Sequence, residues 1–400
     1  MDKKKKRIAF VNQRYGLDVN GGSEYYTRQL AEHLKDIYDV EVLTTKALKY
    51  DTWENYYKQD VEKINGIVVR RFDVAKIRDV LGMERCEKLW RRCPIMKKRW
   101  EAGWIDAQGP YSPELIQYIH SHSKDYELFI FVTYLYYHTV KGLPEVSDRA
   151  VLIPTAHDEP YIYFHTFRDV FSKAQALVYL TPEEKMLVER LFSVKKKPSC
   201  VCGVGVEPVY DIDNARYREK YNIDQEYIIY VGRLDASKGC LEMFRIFQIY
   251  KANHQDCKMK LVLMGKSVID IPDDEDIIYQ GFVSEKDKFD AISGAKVLWL
   301  PSQYESLSIA VLEAMSLGVP VLVNGKCEVL KGHCERSKAG FFYYSEEEAE
   351  EYLSVILDTN KMQTMSENAK RYISENYQWD NILRELRNLF ENMRPMRQNE

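Results

Sequence analysis

The chain has 400 residues, 45% of them hydrophobic and 12% aromatic, enough for two cores of ordinary size. A formal net charge of -4 and a pI near 6.2 argue against a dedicated nucleic-acid binder. No apolar stretch approaches the roughly 18 residues needed to cross a bilayer. Residues 1–7 are basic like the start of a signal peptide. However, Ile8, Ala9, Phe10 and Val11 are too short for its apolar region and run into polar Asn12, Gln13 and Arg14. They read as a lead-in to a first strand of a cytoplasmic protein. The 8 cysteines contain no Cys-x-x-Cys and read as reduced thiols; His333 beside Cys334 is a weak metal candidate, and no metal is expected.

In chain order, the first strand spans residues 7–11. A polar loop with Asn20, Gly21 and Gly22 leads to a helix over about 23–35. Strands follow at 40–44, 67–72, 128–132, 150–153 and 176–179. Thr181, Pro182 and Glu184 open a helix: Thr caps, Pro takes the first helical position, and Glu184 completes a capping box. The pattern breaks at Gly203, Gly205 and Pro208. A second series of strands begins at 227–231 and continues at 260–264, 277–279, 297–300 and 319–323. Helices fall near 241–252, 286–293 and 309–317. Such alternation predicts an α/β fold with parallel sheets covered on both faces by helices. Two doubly wound domains joined near residue 205 are the natural architecture. Ligands of such sheets bind beyond the carboxyl ends of the strands, so two facing domains would enclose a cleft.

Residues 76–104 do not fit the alternation. They are rich in Lys and Arg and carry Trp90, Trp100 and Trp104, with Leu81, Met83 and Ile95. A basic, aromatic segment suits an anionic membrane surface or an acceptor. The plainer reading is a helical insertion packed on its own domain.

The loops after strands carry the chemistry. Gly21 and Gly22 before Ser23 and Glu24 let a ligand approach a helix start, although most Gly-Gly pairs are only turns. The spacing is not that of a dinucleotide fingerprint. After residue 231 come Gly232, Arg233, Leu234, Asp235 and, further on, Lys238 and Gly239. An Arg and a Lys in one loop can offset a diphosphate and stabilise it as a leaving group. After residue 153 come His157, Asp158 and Glu159; His157 can hold a sugar hydroxyl or shuttle a proton. Asp211 with Asp213, and Asp274 with Asp276, match a minimal Asp-x-Asp metal pattern but lie outside the expected cleft and are rejected.

Glu305 and Glu313 are the most informative residues. Ser306 or Ser308 is expected to cap a helix that carries Glu313 about two turns inside and stops at Gly318. Eight positions at helical rise put the two backbones roughly 12 Å apart. That spacing suits a sugar at one end of a nucleotide diphosphate and a ribose at the other. The free N–H groups of the helix start would seat phosphate between them.

Taken together, Gly-Gly-Ser-Glu at 21–24, Gly-Arg-Leu-x-x-x-Lys-Gly at 232–239 and Tyr-Glu-Ser-Leu-x-x-x-x-Leu-Glu-Ala-Met-x-x-Gly-x-Pro-Val at 304–321 resemble family 4 glycosyltransferases. The resemblance covers nearly the whole chain and is strongest over 227–325. It implies the GT-B fold: two facing Rossmann-like doubly wound domains with an interdomain cleft. The N-terminal, acceptor-binding domain would span 1–204 and the nucleotide-sugar-binding domain 205–378. Residues 379–400 would form a helix crossing back to the first. The resemblance also implies retaining hexosyl transfer from a nucleotide-diphosphate sugar, without a required metal or other cofactor, to a glycan or lipid-linked acceptor. Surface polysaccharide or glycolipid assembly would follow; the cytoplasmic placement, peripheral contact of 76–104 at the inner membrane face and the lack of a nucleic-acid partner are expected from the sequence features above. Glu305 would hold hydroxyls of the donor sugar and Glu313 those of the ribose. Arg233 and Lys238 would hold the diphosphate with the N–H groups of Ser306, Leu307 and Ser308, beside Gly232. Gly22, with Gly21, would touch phosphate from the other domain, His157 would lie near the sugar, and Phe282 and Val283 would border the base. Here Ser306, Leu307 and Ser308 replace the commoner Gly-Phe-Pro type, which leaves the backbone donors intact. Rival readings are a GT-B sugar-nucleotide epimerase and a non-catalytic sugar-nucleotide-binding protein.

Overall fold

A computed structural model describes residues 5–19, 21–356 and 359–393. Residues 1–4 of the basic lead-in, Asn20 of the glycine loop and 394–400 of the C-terminal segment lie outside them. The chain divides into two compact units, Met1–Val204 with Ile382–Glu400, and Gly205–Asn381.

The first unit is built on β1 (Arg7–Val11), β2 (Asp39–Thr45), β3 (Val61–Ile64), β4 (Ile67–Phe72), β5 (Leu128–Val132), β6 (Ala150–Ile153), β7 (Ala176–Tyr179) and β8 (Ser199–Val201). Their order in the sheet is β3-β4-β2-β1-β5-β6-β7-β8. Every pairing is parallel except β3 with β4. The exception departs from the all-parallel expectation and has a local cause. Asn65 (φ 49°) and Gly66 (φ 88°) form a two-residue turn with both φ positive, the geometry that matches strand twist in a tight hairpin. β5, β6 and β7 are buried at every residue, as sheet strands covered on both faces must be.

The second unit is built on β9 (Tyr227–Val231), β10 (Lys260–Met264), β11 (Ile277–Gly281), β12 (Leu298–Leu300), β13 (Val321–Asn324) and β14 (Gly340–Tyr343). It is wholly parallel in the order β11-β10-β9-β12-β13-β14. In each sheet the order reverses once, between β1 and β5 and between β9 and β12. These are the switch points where post-strand loops diverge and leave room for a ligand.

Residues 76–104 form a helical hairpin, Val80–Arg92 and Lys97–Gln108, joined by the one-turn helix Pro94–Met96. Two carboxylates tie it to its own unit. Buried Glu101 accepts from Trp90 Nε1 (2.9 Å), the Thr166 N–H (2.9 Å) and the Thr166 hydroxyl (3.0 Å), and faces His165 Nδ1 (3.0 Å). Glu87 accepts from Trp104 Nε1 (3.0 Å) and the Tyr161 hydroxyl (2.9 Å). At the far end of the chain, the helix Trp379–Asn392 passes the unit boundary. Beyond it, Phe390 packs edge-on to Tyr38 within the first unit, ring centroids 6.2 Å apart. Gly205 lies against the Trp379 indole, where a Cβ would stand 2.3 Å from Cδ2.

The helix Pro182–Leu191 opens with Thr181 accepting from the Glu184 N–H (3.2 Å) and Pro182 at its first position. Glu184 does not close a capping box, however. Its carboxylate accepts the Leu180 N–H (2.6 Å) and the Ala156 N–H (2.5 Å), fastening the loop after β6 to the end of β7. Two fully buried histidines brace the units internally. His138 Nε2 faces Val132 O (3.5 Å) in the first. In the second, His333 Nε2 faces Leu307 O (2.8 Å) and Nδ1 the Tyr372 hydroxyl (3.0 Å). Burial lowers each imidazole from 6.5 to about 4, so at neutral pH His333 donates from Nε2 and accepts from Tyr372.

Glu184→Gln keeps the shape but can accept only one of the two N–H groups, so it should cost about 1–3 kcal/mol. Denaturant unfolding checks this; an unchanged midpoint would contradict the double-acceptor role. The histidines give a pH dependence of definite sign. Below about 6.5 the unfolded chain takes up protons that the folded chain refuses until about 4. Stability should therefore fall as pH drops through that window, by up to about 3 kcal/mol for each histidine. His333→Gln should flatten the slope in unfolding measured at pH 7 and 4.5, and an unaltered slope would refute the assignment.

Candidate active site

At the switch point of the second unit, the loop after β9 and the loop after β12 are pressed together. Gly239, at φ 77°, makes this possible: a Cβ there would lie 2.5 Å from the Pro301 carbonyl oxygen. The loop after β10 joins them, with the Gly232 N–H on Met264 O (2.9 Å) and the Leu234 N–H on Lys266 O (3.0 Å). Asp235 shapes the first loop. Its Oδ1 accepts from the Ser237 N–H and hydroxyl, both at 2.9 Å, and Oδ2 lies 3.1 Å from the Arg233 guanidinium. Burial pushes the Asp235 carboxyl up. The Ser237 donors, then Arg233 and Lys238, outweigh it and hold the group below its usual range.

Lys238 crosses between the loops. Its Nζ lies 2.7 Å from Glu305 Oε1 and 3.4 Å from Tyr304 O. The sequence-predicted cation and acid, 67 positions apart, thus form one ion pair, while Arg233 is tied to Asp235 within its own loop. Beyond Glu305 the chain differs from the expectation in two ways. Ser308 occupies the cap position of the helix Ile309–Ser316 but sits in the left-handed region (φ 66°, ψ 87°) and makes no side-chain cap bond. The residues from Glu305 to Ser308 are not helical. Glu313 therefore lies little more than one turn inside the helix, and helical rise does not govern its separation from Glu305. Ser306, Leu307 and Ser308 precede the helix Ile309–Ser316, and the Leu307 carbonyl is pinned by His333.

Glu313 is buried and paired with Lys288 at 2.9 Å. Burial pushes its carboxyl above the usual range, against the pull of the Lys288 charge and hydrogen bond. Lys288 stands on the helix Glu285–Ser293, which starts just after exposed Phe282 and half-buried Val283 at the end of β11. Neither Lys288 nor His333 was assigned a role in this site from sequence. Their partners lie 25 and 26 positions away, beyond any local motif. Of the rejected acidic pairs, Asp213 caps the helix Asn214–Tyr221 and Asp211 pairs with Arg216 at 3.4 Å.

In the first unit, Gly21 and Gly22 open the helix Gly22–Leu34 at the β1 end of the switch point. The two glycines differ in kind. A Cβ on Gly21 would lie 2.2 Å from Glu24 Oε2, so a side chain there would displace the Glu24 carboxylate. A Cβ on Gly22 would meet nothing within 4 Å. Glu24 pairs with Arg14 at 2.5 Å, both side chains buried. After β6, His157 Nδ1 stands 3.7 Å from Glu159 Oε1, which accepts from the Tyr134 hydroxyl (2.7 Å). Asp158 is engaged elsewhere, with Arg190 (3.0 Å) and the Tyr163 hydroxyl (2.6 Å). Thr133 (φ 72°) and Thr155 (φ 51°) follow β5 and β6 in the left-handed region, their hydroxyls 3.1 Å apart. Positive φ is strained for a β-branched residue, and such strain gathers at functional loops. No sequence signal marks it.

Residues 212–372 match the family described as Glycosyl transferases group 1. An uncharacterised glycosyltransferase of Methanocaldococcus jannaschii is 30% identical over 96% of this chain and 97% of its own length. Among solved structures, sucrose-phosphate synthase from Thermosynechococcus elongatus superposes with a TM-score of 0.71 at 18% identity, over 97% of this chain and 99% of that one. The Anabaena protein HepE, solved with UDP and glucose, gives 0.68 at 15% identity, over 96% and 99%. The fold is the GT-B fold of these enzymes. With a relative this similar over nearly its full length, and with the group's own pattern matched across the second sheet, the chain belongs to the group 1 glycosyltransferases.

Proposed function

We propose that this glycosyltransferase moves a hexosyl group from a nucleotide-diphosphate sugar to a hydroxyl acceptor, with retention at the anomeric carbon. The acceptor is a glycan or a lipid-linked precursor in surface-glycan or glycolipid assembly on the cytoplasmic side. The observation that carries this reading is the Lys238–Glu305 pair at the switch point, beside Arg233 and just before the helix Ile309–Ser316. A solved neighbour of the same fold was captured with UDP and glucose.

Charge dictates the roles. Breaking the anomeric bond leaves positive charge on the sugar and added negative charge on the β-phosphate. Lys238 carries three donors, so it can keep Glu305 and still hold a phosphate oxygen. Arg233 and the N–H groups of Ser306, Leu307 and Ser308 meet the rest of the diphosphate charge. With these donors in place, the reading asks for no metal. Glu305 accepts sugar hydroxyls. Glu313, one oxygen held by Lys288, offers the other to the ribose hydroxyls, and Val283 borders the base. The reading gives Gly22 a phosphate contact and His157 a sugar hydroxyl. The departing phosphate takes the proton of the acceptor hydroxyl as the new bond forms on the same face.

A panel of sugar nucleotides, scored by slow donor hydrolysis and by thermal stabilisation, identifies the donor. With it, Lys238→Ala and Glu305→Ala should each lose at least about a hundredfold in turnover while still folding. Normal kinetics in both variants would end the proposal; a changed sugar without transfer would point to epimerisation. Gly22→Ala should leave the unfolding midpoint unchanged or slightly raised, because its Cβ enters open space. Donor hydrolysis should still drop roughly tenfold as the methyl obstructs the phosphate approach. Undiminished hydrolysis would show that Gly22 has no such contact.

A further inference from the structure

The helical hairpin of the first unit has two unlike sides. Met83, Cys86, Glu87 and Trp90, at helical spacing, face the core or the carboxylate ties described above. The opposite stripe of the same helix, Leu81, Arg85, Lys88 and Arg92, is exposed. The tip concentrates this character. Between Glu87 and Glu101 the sequence carries Lys88, Arg91, Arg92, Lys97, Lys98 and Arg99 and no acid. Amid these cations, the one-turn helix Pro94–Met96 holds Ile95 entirely in water, 100% exposed, with Met96 39% exposed beside it.

We infer that this tip docks on an anionic lipid bilayer. Ile95 and Met96 enter the boundary between headgroups and acyl chains, and the surrounding Lys and Arg side chains meet lipid phosphates. Charge and apolarity together select the partner. A nucleic acid would satisfy the cations and leave Ile95 in water. An apolar protein surface would cover Ile95 and leave the cations unmatched. A bilayer supplies both demands within a few ångströms of depth. The whole chain carries a net charge of -4, so the attraction is local to this tip. The carboxylate ties through Glu87 and Glu101 hold the hairpin firmly enough to act as an anchor. The inference deepens the reading of a lipid-linked acceptor and rests on it for its purpose, though not for its test.

The test is co-sedimentation of the purified full-length protein with vesicles, without any sugar nucleotide. Vesicles of phosphatidylcholine alone are compared with vesicles that also contain phosphatidylglycerol. Binding should require the anionic lipid and weaken as salt rises. Lys97→Gln with Lys98→Gln should lower partitioning about thirtyfold, at ~1 kcal/mol for each basic residue near such a surface. Ile95→Asp, at a fully exposed position that folding does not need, should lower it about tenfold or more. Any of three outcomes overturns the inference. The first is no vesicle binding at low salt. The second is Ile95→Asp binding like the unaltered protein while duplex DNA competes, which marks a general polyanion site. The third is self-association of vesicle-free protein through Ile95, which marks a contact between copies. Failure here would leave donor hydrolysis intact, and failure of the transferase reading would leave vesicle binding intact.

Discussion

Gly239 has no side chain, and the Pro301 carbonyl oxygen sits too close to admit one. That close approach sets the distance between the two loops of the second switch point. Lys238 follows directly from it, since the residue before Gly239 projects from the same turn and reaches Glu305. The sheet order supplies the place, because β9 and β12 are neighbours whose connections part company. The glycine supplies the fit. Behind the site, His333 and Tyr372 hold the Leu307 carbonyl, so the strained Ser308 is fixed from the protein side. A site whose backbone is fixed in advance meets developing charge without reorganising.

Buried and half-buried carboxylates do similar work throughout the first unit. Glu184 joins two post-strand loops, Glu101 and Glu87 fasten the helical hairpin, and Glu24 anchors Arg14 beside the first glycine loop. Each meets two or more donors, which is the condition for a charged or polar group to be tolerated away from water. These positions lie at loops and excursions, where continuous apolar packing is not available.

Much of this was legible in the sequence. Strands covered on both faces are unbroken apolar runs, so β1, β5, β6, β7, β9 and β10 stood out at their observed bounds. The Thr181 cap and Pro182 marked a helix start for local chemical reasons. β3 escaped notice because its residues alternate between exposed and half-buried and include Glu62 and Lys63. The placing of Arg233, Lys238 and Glu305 in loops after strands was legible from local sequence. The site was not legible where the cause is tertiary. Lys288 beneath Glu313, His333 behind Leu307 and the positive φ of Thr133, Thr155 and Ser308 depend on chain segments brought together only by folding. The misplaced helix start before Glu313 has the same origin: serine is a common cap, but Ser308 is held left-handed and cannot play that part.

The small hairpin at Asn65 and Gly66 has a consequence for life at high protein concentration. An open parallel sheet leaves unpaired N–H and C=O groups along its margin, an invitation to pair with another molecule. β3 folds back over the margin of β4, and its own outer side presents a short, four-residue strand bearing acid and base. Shielding of this kind contributes nothing to chemistry. It leaves this margin of the sheet with a short, charged strand, a poor template for pairing with a second copy.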